Sequence, residues 1–372
     1  MYKNVECYYE PREILAKMSE PYVEMSPFDH GFICGLIKES NPEKLVEIGV
    51  AGGGTTAVIM KCLNTLKRET RVFSVDVCEM CYRREDKQTG WQLSEVSQYL
   101  DNYSNHTFFL GKELPYVADK IGGDVDFLIL DTTHVLPGEI LDFIYMLPYL
   151  KDGAIVVIHD VNLGICGTGV SICTKVLFDA VYGEKYYMYE DGLTNIAAFK
   201  VNADTRENII NVFSALMIPW SYLLKEQLLF DYRSFYVQNY SRDCINLFDK
   251  IVIEQYSKIH NKRSVVEEKK RVLEICNSDK KICLYGAGIR GNNLKQYINN
   301  MGYDVDCFVI SDDFDKKKFE HLETKVLNIS EFDSDDSVLL LATPAKEVKQ
   351  YLFENRIAHE VFSESFFEYI RK

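Results

Sequence analysis

The chain has 372 residues, of which 47% are hydrophobic and 26% are charged, a balance typical of a globular protein with room for two domains. Its net charge of −14 argues against general nucleic-acid binding, because an acidic chain repels a phosphate backbone. No apolar run approaches the roughly 18 residues that a membrane helix needs, and the N-terminal segment lacks the apolar core of a signal peptide. We therefore expect a cytoplasmic protein without a membrane span.

Strand and helix patterns alternate over residues 1–202, which we interpret as the first domain. Helical spacing over residues 1–40 is followed by the apolar strands KLVEIGV, RVFSVDV, HTFFLG, VDFLILD and GAIVVIHDV, with helical segments between them. This order predicts an α/β fold, a Rossmann-like parallel sheet with helices on both faces. The segments KYYMYE and NIAAFKV predict two late strands at an antiparallel edge.

The alternation stops after residue 202. Residues 203–278 have almost no glycine or proline and are rich in tyrosine and phenylalanine, which predicts a helical connector. We expect the connector to pack on a neighbouring surface or on the second subunit of a homodimer; alternatively, its aromatic rings line a substrate site. Strand and helix patterns return over residues 279–372 and predict a second, small Rossmann-like α/β domain.

The stretch VEIGVAGGGTT places several glycines directly after the first strand. Gly49, Gly52 and Gly53 allow backbone amides to approach a ligand at the carboxyl end of the sheet. No Gly-Lys-Ser or Gly-Lys-Thr follows, which excludes the phosphate loop of a nucleoside triphosphatase. Glu47 favours an ammonium group over a pyrophosphate, and Asp76, at the end of the second strand, suits the hydroxyl pair of a ribose. The pattern predicts a nucleoside that carries an amino acid and no phosphate.

Four motifs in this order carry a family resemblance. VEIGVAGGGTT, VFSVDV, VDFLILDTTH and LKDGAIVVIHDV resemble the successive motifs of class I S-adenosylmethionine-dependent methyltransferases, over roughly residues 40–200. Within that superfamily they are most similar to the O-methyltransferases of sugar, antibiotic and polysaccharide pathways. The resemblance implies transfer of a methyl group from S-adenosylmethionine to an oxygen of a sugar or other small molecule, in a bacterial-type surface polysaccharide or natural-product pathway.

The resemblance also implies which residues bind the cofactor. The first motif faces the methionine moiety, Thr55 bonds the methionine carboxylate at the start of a helix, and Asp76 binds the ribose. The turn after the third strand lies where the family contacts adenine. The full set is Glu47, Gly49, Gly52, Gly53, Thr55, Asp76, Gly111 and Lys112.

A second group of polar residues follows the fourth and fifth strands: Asp131, His134, His159 and Asp160. The carboxyl ends of parallel strands share one crevice, so we expect these four residues to hold and activate the acceptor. The resemblance to metal-dependent members implies that Asp131, His159 and Asp160 ligate a divalent ion such as Mg²⁺, although many of those enzymes have a carboxylate in place of His159. Without a metal, His134 or His159 would act as general base. A further interpretation of His134 is a helix cap bonded to Asp131.

The stretch ICLYGAGIRGNN has the GxGxxG spacing after a strand and before a helix. Gly286, Gly288 and Gly291, with Asp312 after the next strand, predict a second nucleotide site for NAD or a nucleotide sugar. The domain resembles small Rossmann-like modules attached to enzymes of bacterial surface-sugar assembly, so a structural or docking role is the alternative. Two rival functions follow: an NAD- or nucleotide-linked oxidoreductase or sugar-modifying enzyme, and a non-catalytic nucleoside-binding scaffold.

The segment VCEMCYRREDKQTGWQL follows the second strand and predicts part of a lid. Arg83 and Trp91 are expected to touch the acceptor there. Cys78 and Cys81 form a lone CxxC pair, which we interpret as free thiols because no second pair or histidine stands at zinc-ligand spacing.

Overall fold

The computed structural model describes residues 2–166, 169–188, 194–260, 263–319 and 321–371. They divide into two units, the first formed by Met1–Leu224 and Asp231–Ile245 and the second by Lys225–Phe230 and Asn246–Lys372. The predicted connector is shared between these units, so the three-part division at residues 202 and 278 stays a prediction. No helix in the described ranges is both long and apolar enough to span a membrane.

A seven-stranded sheet forms the centre of the first unit. Its strands are β1 (Lys44–Ile48), β2 (Arg71–Asp76), β5 (His106–Leu110), β6 (Val125–Leu130), β7 (Leu150–His159), β8 (Glu184–Tyr186) and β9 (Ile196–Lys200), and β3 (Met80–Cys81) with β4 (Arg84–Gln88) forms a separate hairpin. The order is β5-β2-β1-β6-β7-β9-β8. The first five strands of that order are parallel, whereas β9 runs antiparallel to both β7 and β8. The predicted α/β fold and its antiparallel edge are confirmed.

Helices cover this sheet. They are α1 (Pro27–Ser40), α2 (Gly54–Thr65), α3 (Trp91–Val96), α4 (Ala118–Ile121), α5 (Gly138–Met146), α6 (Leu163–Cys166), α7 (Cys173–Ala180), α8 (Ala203–Glu207) and α9 (Ile209–Ala215), after a 3-10 helix over Glu10–Lys17. All five residues of β1 are buried, as a central parallel strand requires. The core on one side of the sheet includes Phe32, Ile59 and Phe127.

The start of α1 is fixed by a capping box. The Ser26 hydroxyl accepts from the Asp29 amide at 3.2 Å, and the Asp29 carboxylate accepts from the Ser26 amide at 2.8 Å. Pro27, at the first helical position, has no amide hydrogen to leave unpaired. The first turn of α1, with Asp29 and His30, is thereby held in one place.

Several aromatic residues after α9 lie on α10 (Glu226–Asn239) or directly after it, before α11 (Arg242–His260). The hydroxyl of Tyr232 donates to Asp142 Oδ1 at 3.2 Å, and those of Tyr236 and Tyr240 donate to backbone carbonyls of α5. Tyr236 is fully buried. These rings therefore pack on a surface of their own unit, and a homodimer contact stays a prediction.

A five-stranded parallel sheet forms the centre of the second unit. Its strands are β10 (Lys281–Tyr285), β11 (Cys307–Ile310), β12 (Lys325–Asn328), β13 (Ser337–Leu341) and β14 (Glu360–Val361), and its helices include α12 (Val265–Cys276), α13 (Ile289–Asn300), α14 (Lys346–Glu354) and α15 (Glu364–Ile370). The order is β12-β11-β10-β13-β14. All four neighbouring pairs are parallel, which confirms a second parallel α/β sheet, and a Rossmann-like domain stays a prediction.

Candidate functional site

The candidate site lies where the strand order of the first sheet reverses. The chain runs from β1 outward through β2 to β5 and then returns to β6 on the other side of β1. In open α/β sheets ligands bind beyond the carboxyl ends of the strands at such a reversal. Gly49 follows β1 with φ +94°, and a Cβ atom there would lie 1.7 Å from the carbonyl oxygen of Asp131, which follows β6. Only glycine fits between these two strand ends.

The other glycines of the first turn are crowded by segments of the same chain. An added Cβ would lie 2.7 Å from the Gly90 Cα atom at Gly53, which has φ +82°. At Gly52 it would lie 3.0 Å from the Trp91 ring, and at Gly54 it would lie 2.2 Å from Val23. The chain's own neighbours therefore account for these glycines, without any need for a ligand.

The predicted lid segment supplies some of the residues that pack against the glycine turn. Trp91 lies over the glycine turn, and the Arg83 guanidinium is 2.8 Å from the Glu24 carboxylate. The Tyr82 hydroxyl also donates to Glu24, at 2.8 Å, so Glu24 ties the N-terminal segment to the hairpin. Contact of Arg83 or Trp91 with an acceptor stays a prediction. Cys78 and Cys81 are free thiols, as expected.

Asp76 holds the glycine turn through its carboxylate. Asp76 Oδ2 accepts from the amides of Val50 and Ala51 at 2.9 and 3.2 Å, and Oδ1 accepts from the Cys78 amide at 2.8 Å. Oδ2 already accepts from two amides, whereas Oδ1 accepts from one, so Oδ1 has a lone pair left to accept a hydrogen bond from a ribose hydroxyl. The acid that sequence reasoning placed here as a ribose ligand also supports the backbone of the turn.

The residues predicted to contact the adenine of the cofactor lie next to Asp76. The amide of Lys112 donates to the carbonyl of Asp76 at 3.3 Å. Gly111 has φ +65°, and an added Cβ would lie 2.5 Å from Glu79 Cγ. The structure thus brings Gly111 and Lys112 to the same strand ends as Asp76, together with Glu79, which the sequence did not single out.

Glu47 is buried among neutral hydroxyl groups. The hydroxyls of Thr56 and Ser74 both donate to Glu47 Oε2, at 2.8 and 2.7 Å, and Glu47 is 2% exposed. Burial raises the pKa of Glu47 to about 7, although these two hydrogen bonds act in the opposite direction. Glu47 binding an ammonium group stays a prediction.

Thr55 lies in the first turn of α2, where the helix has unpaired amide groups and a positive partial charge. Its hydroxyl oxygen is 3.2 Å from His30 Nε2, which comes from the first turn of α1. His30 is a residue that sequence reasoning missed.

Three of the four predicted acceptor-side residues form one cluster. Side-chain ligand atoms of Asp131, His134 and Asp160 lie within 4.8 Å of one another. His134 Nε2 is 3.1 Å from Asp160 Oδ2 and 3.9 Å from Asp131 Oδ1. Burial alone would lower the pKa of His134, but the carboxylates of Glu139, Asp131 and Asp160 raise it above its usual value.

His159 contacts both aspartates of this cluster from the buried side. It is 4% exposed, with Nδ1 3.0 Å from Asp131 Oδ1 and Nε2 3.5 Å from Asp29 Oδ2. Burial alone would lower its pKa, but the carboxylates of Asp131, Asp160 and Asp29 raise it well above the usual value. His159 Nδ1 is also 3.5 Å from Asp160 Oδ2, so His159 stays a predicted metal ligand, and His134 is a second imidazole beside the two aspartates.

Backbone conformation explains the difference between the two histidines. His159 is the last residue of β7, whereas His134 and Asp160 both adopt left-handed conformations with φ 58°. A left-handed residue reverses the local chain direction and re-aims its side chain. His134 is thereby turned toward Asp160, while the His159 side chain keeps the buried orientation of the strand.

Further residues orient the cluster and were missed. Glu139, buried in the first turn of α5, accepts from the amides of His134 and Thr132 at 2.7 and 3.2 Å. Asn195 donates to Asp160, and Asp29 contacts His159. A weak signal existed for Glu139 and Asp29, since acids in a first helical turn are typical of capping.

The second glycine turn is built differently. Gly286 has φ +104°, and a Cβ added at Gly291 would lie 1.9 Å from the Gly286 carbonyl oxygen, so the turn packs tightly on itself. A Cβ added at Gly288 meets nothing within 4 Å. Asp312 Oδ1 accepts from the amide and hydroxyl of Ser330 at 3.1 and 2.8 Å. Nucleotide binding at this turn stays a prediction.

One protein family matches the part of the chain that contains the first site. Residues 46–161 match the family model described as a methyltransferase domain. This span begins in β1 and ends directly after Asp160, so it contains both the glycine turn and the acidic cluster. No curated protein matches the chain significantly.

Several solved structures are similar to about half of the chain. The O-methyltransferase TomG from Streptomyces achromogenes, solved with SAM, is 16% identical over 52% of this chain and 88% of that chain, with a TM-score of 0.38. An O-methyltransferase from Bacillus cereus, solved with SAH, is 16% identical over 51% and 89%, with a TM-score of 0.37. The MycE methyltransferase of the mycinamycin pathway, solved with Mg, SAH and mycinamycin VI, is 17% identical over 52% and 55%, with a TM-score of 0.36. These likenesses are too distant to assign any residue of the site.

Proposed function

We propose that residues 46–161, which match the methyltransferase-domain family model, form a class I S-adenosylmethionine-dependent methyltransferase that transfers the methyl group to a hydroxyl oxygen of a small molecule. The observation that carries the proposal is the meeting of two groups of residues at adjacent strand ends. The glycine turn with Asp76 and Thr55 forms a donor side, and Asp131 begins an acceptor side. Methyl transfer needs this adjacency, because the sulfur, methyl carbon and acceptor oxygen must lie in line.

On the donor side, the turn offers recognition of each part of the cofactor. Asp76 would accept from the ribose hydroxyls, and Gly111 with Lys112 would border the adenine. Thr55 and the first amides of α2 would bind the methionine carboxylate, since a helix N-terminus favours an anion. Glu47 would then accept from the methionine ammonium group, whose positive charge would favour the ionised carboxylate.

On the acceptor side, the hydroxyl oxygen attacks the methyl carbon, the carbon–sulfur bond breaks, and the hydroxyl proton leaves. The cluster of Asp131, His134 and Asp160 is polar enough to orient the hydroxyl and to take up this proton. Two carboxylates and an imidazole also fit a divalent ion such as Mg²⁺ or Mn²⁺. When bound, such an ion would lower the pKa of the acceptor hydroxyl, and these three residues would hold it.

For the acceptor, we propose a hydroxylated small molecule, with a sugar of a surface polysaccharide or natural product as the first class to examine. Its support is the resemblance of the four motifs to enzymes of those pathways and the polar character of the cluster. A site lined by carboxylates and imidazoles suits an acceptor rich in hydroxyl groups, because hydroxyls donate to carboxylates.

The test is formation of S-adenosylhomocysteine from S-adenosylmethionine with a panel of sugars and other hydroxylated small molecules, with added Mg²⁺, with Mn²⁺ or with a chelator. We expect Asp131→Asn and Asp160→Asn to lower kcat by about 100-fold and to leave the Kd for S-adenosylmethionine nearly unchanged. The exposed Asp101 offers a matched control, and Asp101→Asn should leave kcat unchanged. A wild-type protein that does not bind S-adenosylmethionine would contradict the proposal. Wild-type turnover by a variant that carries both Asp131→Asn and Asp160→Asn would contradict it as well.

A further inference from the structure

The first turn of α1 supplies two consecutive side chains to the two sides of the site. Asp29 Oδ2 is 3.5 Å from His159 Nε2, on the acceptor side. The next residue, His30, places Nε2 3.2 Å from Thr55 Oγ1, on the donor side. The capping box at Ser26 fixes this turn, so both contacts have a rigid support.

A third side chain decides which ring nitrogen of His30 carries the hydrogen. Arg12 Nε lies 3.2 Å from His30 Nδ1. A guanidinium group has donors only, so His30 Nδ1 must accept from it. A neutral imidazole has one hydrogen, which must then be on Nε2, the atom that faces Thr55.

The surroundings of His30 keep its ring neutral. His30 is 1% exposed, and burial together with the Arg12 guanidinium lowers its pKa to about 4. At neutral pH the ring therefore has a single tautomer, with Nδ1 accepting from Arg12 and Nε2 donating to Thr55.

The fixed tautomer of His30 determines which hydrogen bonds the Thr55 hydroxyl can make. Its oxygen accepts from His30, so its own hydrogen is available for a different acceptor. A threonine in a helix otherwise often donates to a carbonyl of the preceding turn. With the oxygen held by His30, the hydrogen can be directed toward an anion in front of the first amides of α2.

We propose that Arg12 and His30 are positioning residues for the methyl donor, which act by directing the Thr55 hydroxyl toward the amino-acid carboxylate of the donor. This inference rests on the proposed function, which places that carboxylate at the start of α2. The chain of donors runs from Arg12 to His30, from His30 to Thr55, and from Thr55 to the ligand. None of the three side chains takes part in the transfer itself.

The test compares two ligands that differ in the amino-acid part. S-adenosylhomocysteine has the carboxylate, whereas 5′-methylthioadenosine has the same nucleoside and sulfur without it. In calorimetric titrations, His30→Leu and Thr55→Val should each weaken S-adenosylhomocysteine binding about tenfold and change methylthioadenosine binding by less than about twofold. The double variant should bind no more weakly than Thr55→Val, because both changes interrupt one chain of hydrogen bonds.

A conservative variant separates positioning from folding. In His30→Gln the side-chain amide can reach the place of Nε2 and donate to Thr55, so we expect it to recover most of the affinity that His30→Leu loses. An equal loss for both ligands in His30→Leu, or additive losses in the double variant, would overturn the positioning role. If the wild type binds both ligands and His30→Leu changes neither, this inference is wrong while the proposed function stands. If the wild type binds neither ligand, the proposed function itself fails.

Discussion

The two glycine turns of this chain occupy equivalent places in two parallel sheets but have different surroundings. Each follows the first strand of its sheet, at the point where the strand order reverses. At the first turn, Gly90 and Trp91 lie against the glycines, and Asp76 accepts from amides of the turn. At the second turn, Gly288 has no atom near its Cβ position, and Asp312 is bonded to Ser330 instead.

The difference shows that a glycine pattern and a ligand site are separate properties. Glycines are required wherever backbone segments pack closely, and both turns meet that requirement. A ligand site needs polar groups that converge on the turn from other parts of the chain. In the described residues such convergence accompanies the first turn, through Asp76, Thr55 and the acidic cluster at Asp131.

The largest expected difference between the turns is in the loss of stability when the first glycine of each turn is replaced by alanine. Gly49→Ala would place Cβ 1.7 Å from the Asp131 carbonyl oxygen, whereas in Gly286→Ala the nearest atom is 3.8 Å away. Both positions have positive φ, so Gly286→Ala should cost about 1–2 kcal/mol of unfolding free energy and Gly49→Ala at least about 3 kcal/mol. Denaturant unfolding followed by circular dichroism measures both. Gly123→Ala, with no atom within 4 Å, is the control.

Tryptophan fluorescence makes this comparison specific to the first unit. Both tryptophans, Trp91 and Trp220, belong to that unit, so their fluorescence follows its unfolding. Gly49→Ala should shift this transition and Gly286→Ala should not. Equal shifts for the two variants would break the distinction between the turns.

The next effect concerns two acids, Asp76 at the end of β2 and Asp312 just after β11. Asp76→Ala removes the acceptor for the amides of Val50, Ala51 and Cys78 and the predicted ribose ligand, so we expect the affinity for S-adenosylhomocysteine to fall by at least about 100-fold. Asp312→Ala should leave that affinity unchanged. Calorimetric titration of both variants with S-adenosylhomocysteine, and separately with NAD, tests the pair.

The opposite result would support a rival function. NAD binding that is lost in Asp312→Ala, together with no binding of S-adenosylhomocysteine by the wild type, would make the second turn the active one. Binding of both ligands at independent sites would instead sharpen the comparison, since it would add a function to the second turn without removing that of the first.

A third expected effect is a pH dependence of stability that comes from Glu47, in the strand before the first turn. The pKa of Glu47 is raised to about 7 in the folded chain, so the folded state binds its proton more tightly than the unfolded state does. The unfolding free energy should therefore fall as pH rises from about 4.5 to 7, by on the order of 3 kcal/mol from this group. Denaturant unfolding at pH 5 and pH 8 should show a smaller decrease in Glu47→Gln than in the wild type.

An exposed acid serves as control for that measurement. Glu85 lies on the surface, and Glu85→Gln should follow the wild-type pH dependence. A decrease between pH 5 and pH 8 that is the same in Glu47→Gln and in the wild type would show that burial of Glu47 has no net effect on the proton equilibrium.

Local sequence was sufficient for the strands and for the enzyme class. The apolar runs that became β1, β2, β5, β6 and β7 are short and bounded by turn residues, so their strand conformation could be inferred from local sequence. The methyltransferase prediction is confirmed for residues 46–161. The hairpin of β3 and β4 and the two-residue strand β14 were not predicted, because such short exposed segments have no hydrophobic periodicity.

Site residues at strand ends could be predicted from the sequence, whereas contacts between side chains of different elements could not. Local sequence is enough to order the motifs and to place Gly49, Asp76, Asp131 and Asp160 at carboxyl ends of strands, because parallel strands bring successive ends to one edge. The grouping of His134 with Asp131 and Asp160 became visible only in the folded chain, since it depends on left-handed backbone at His134 and Asp160. The contact of His30 with Thr55 likewise became visible only there, because packing between α1 and α2, and not any local pattern, sets that contact.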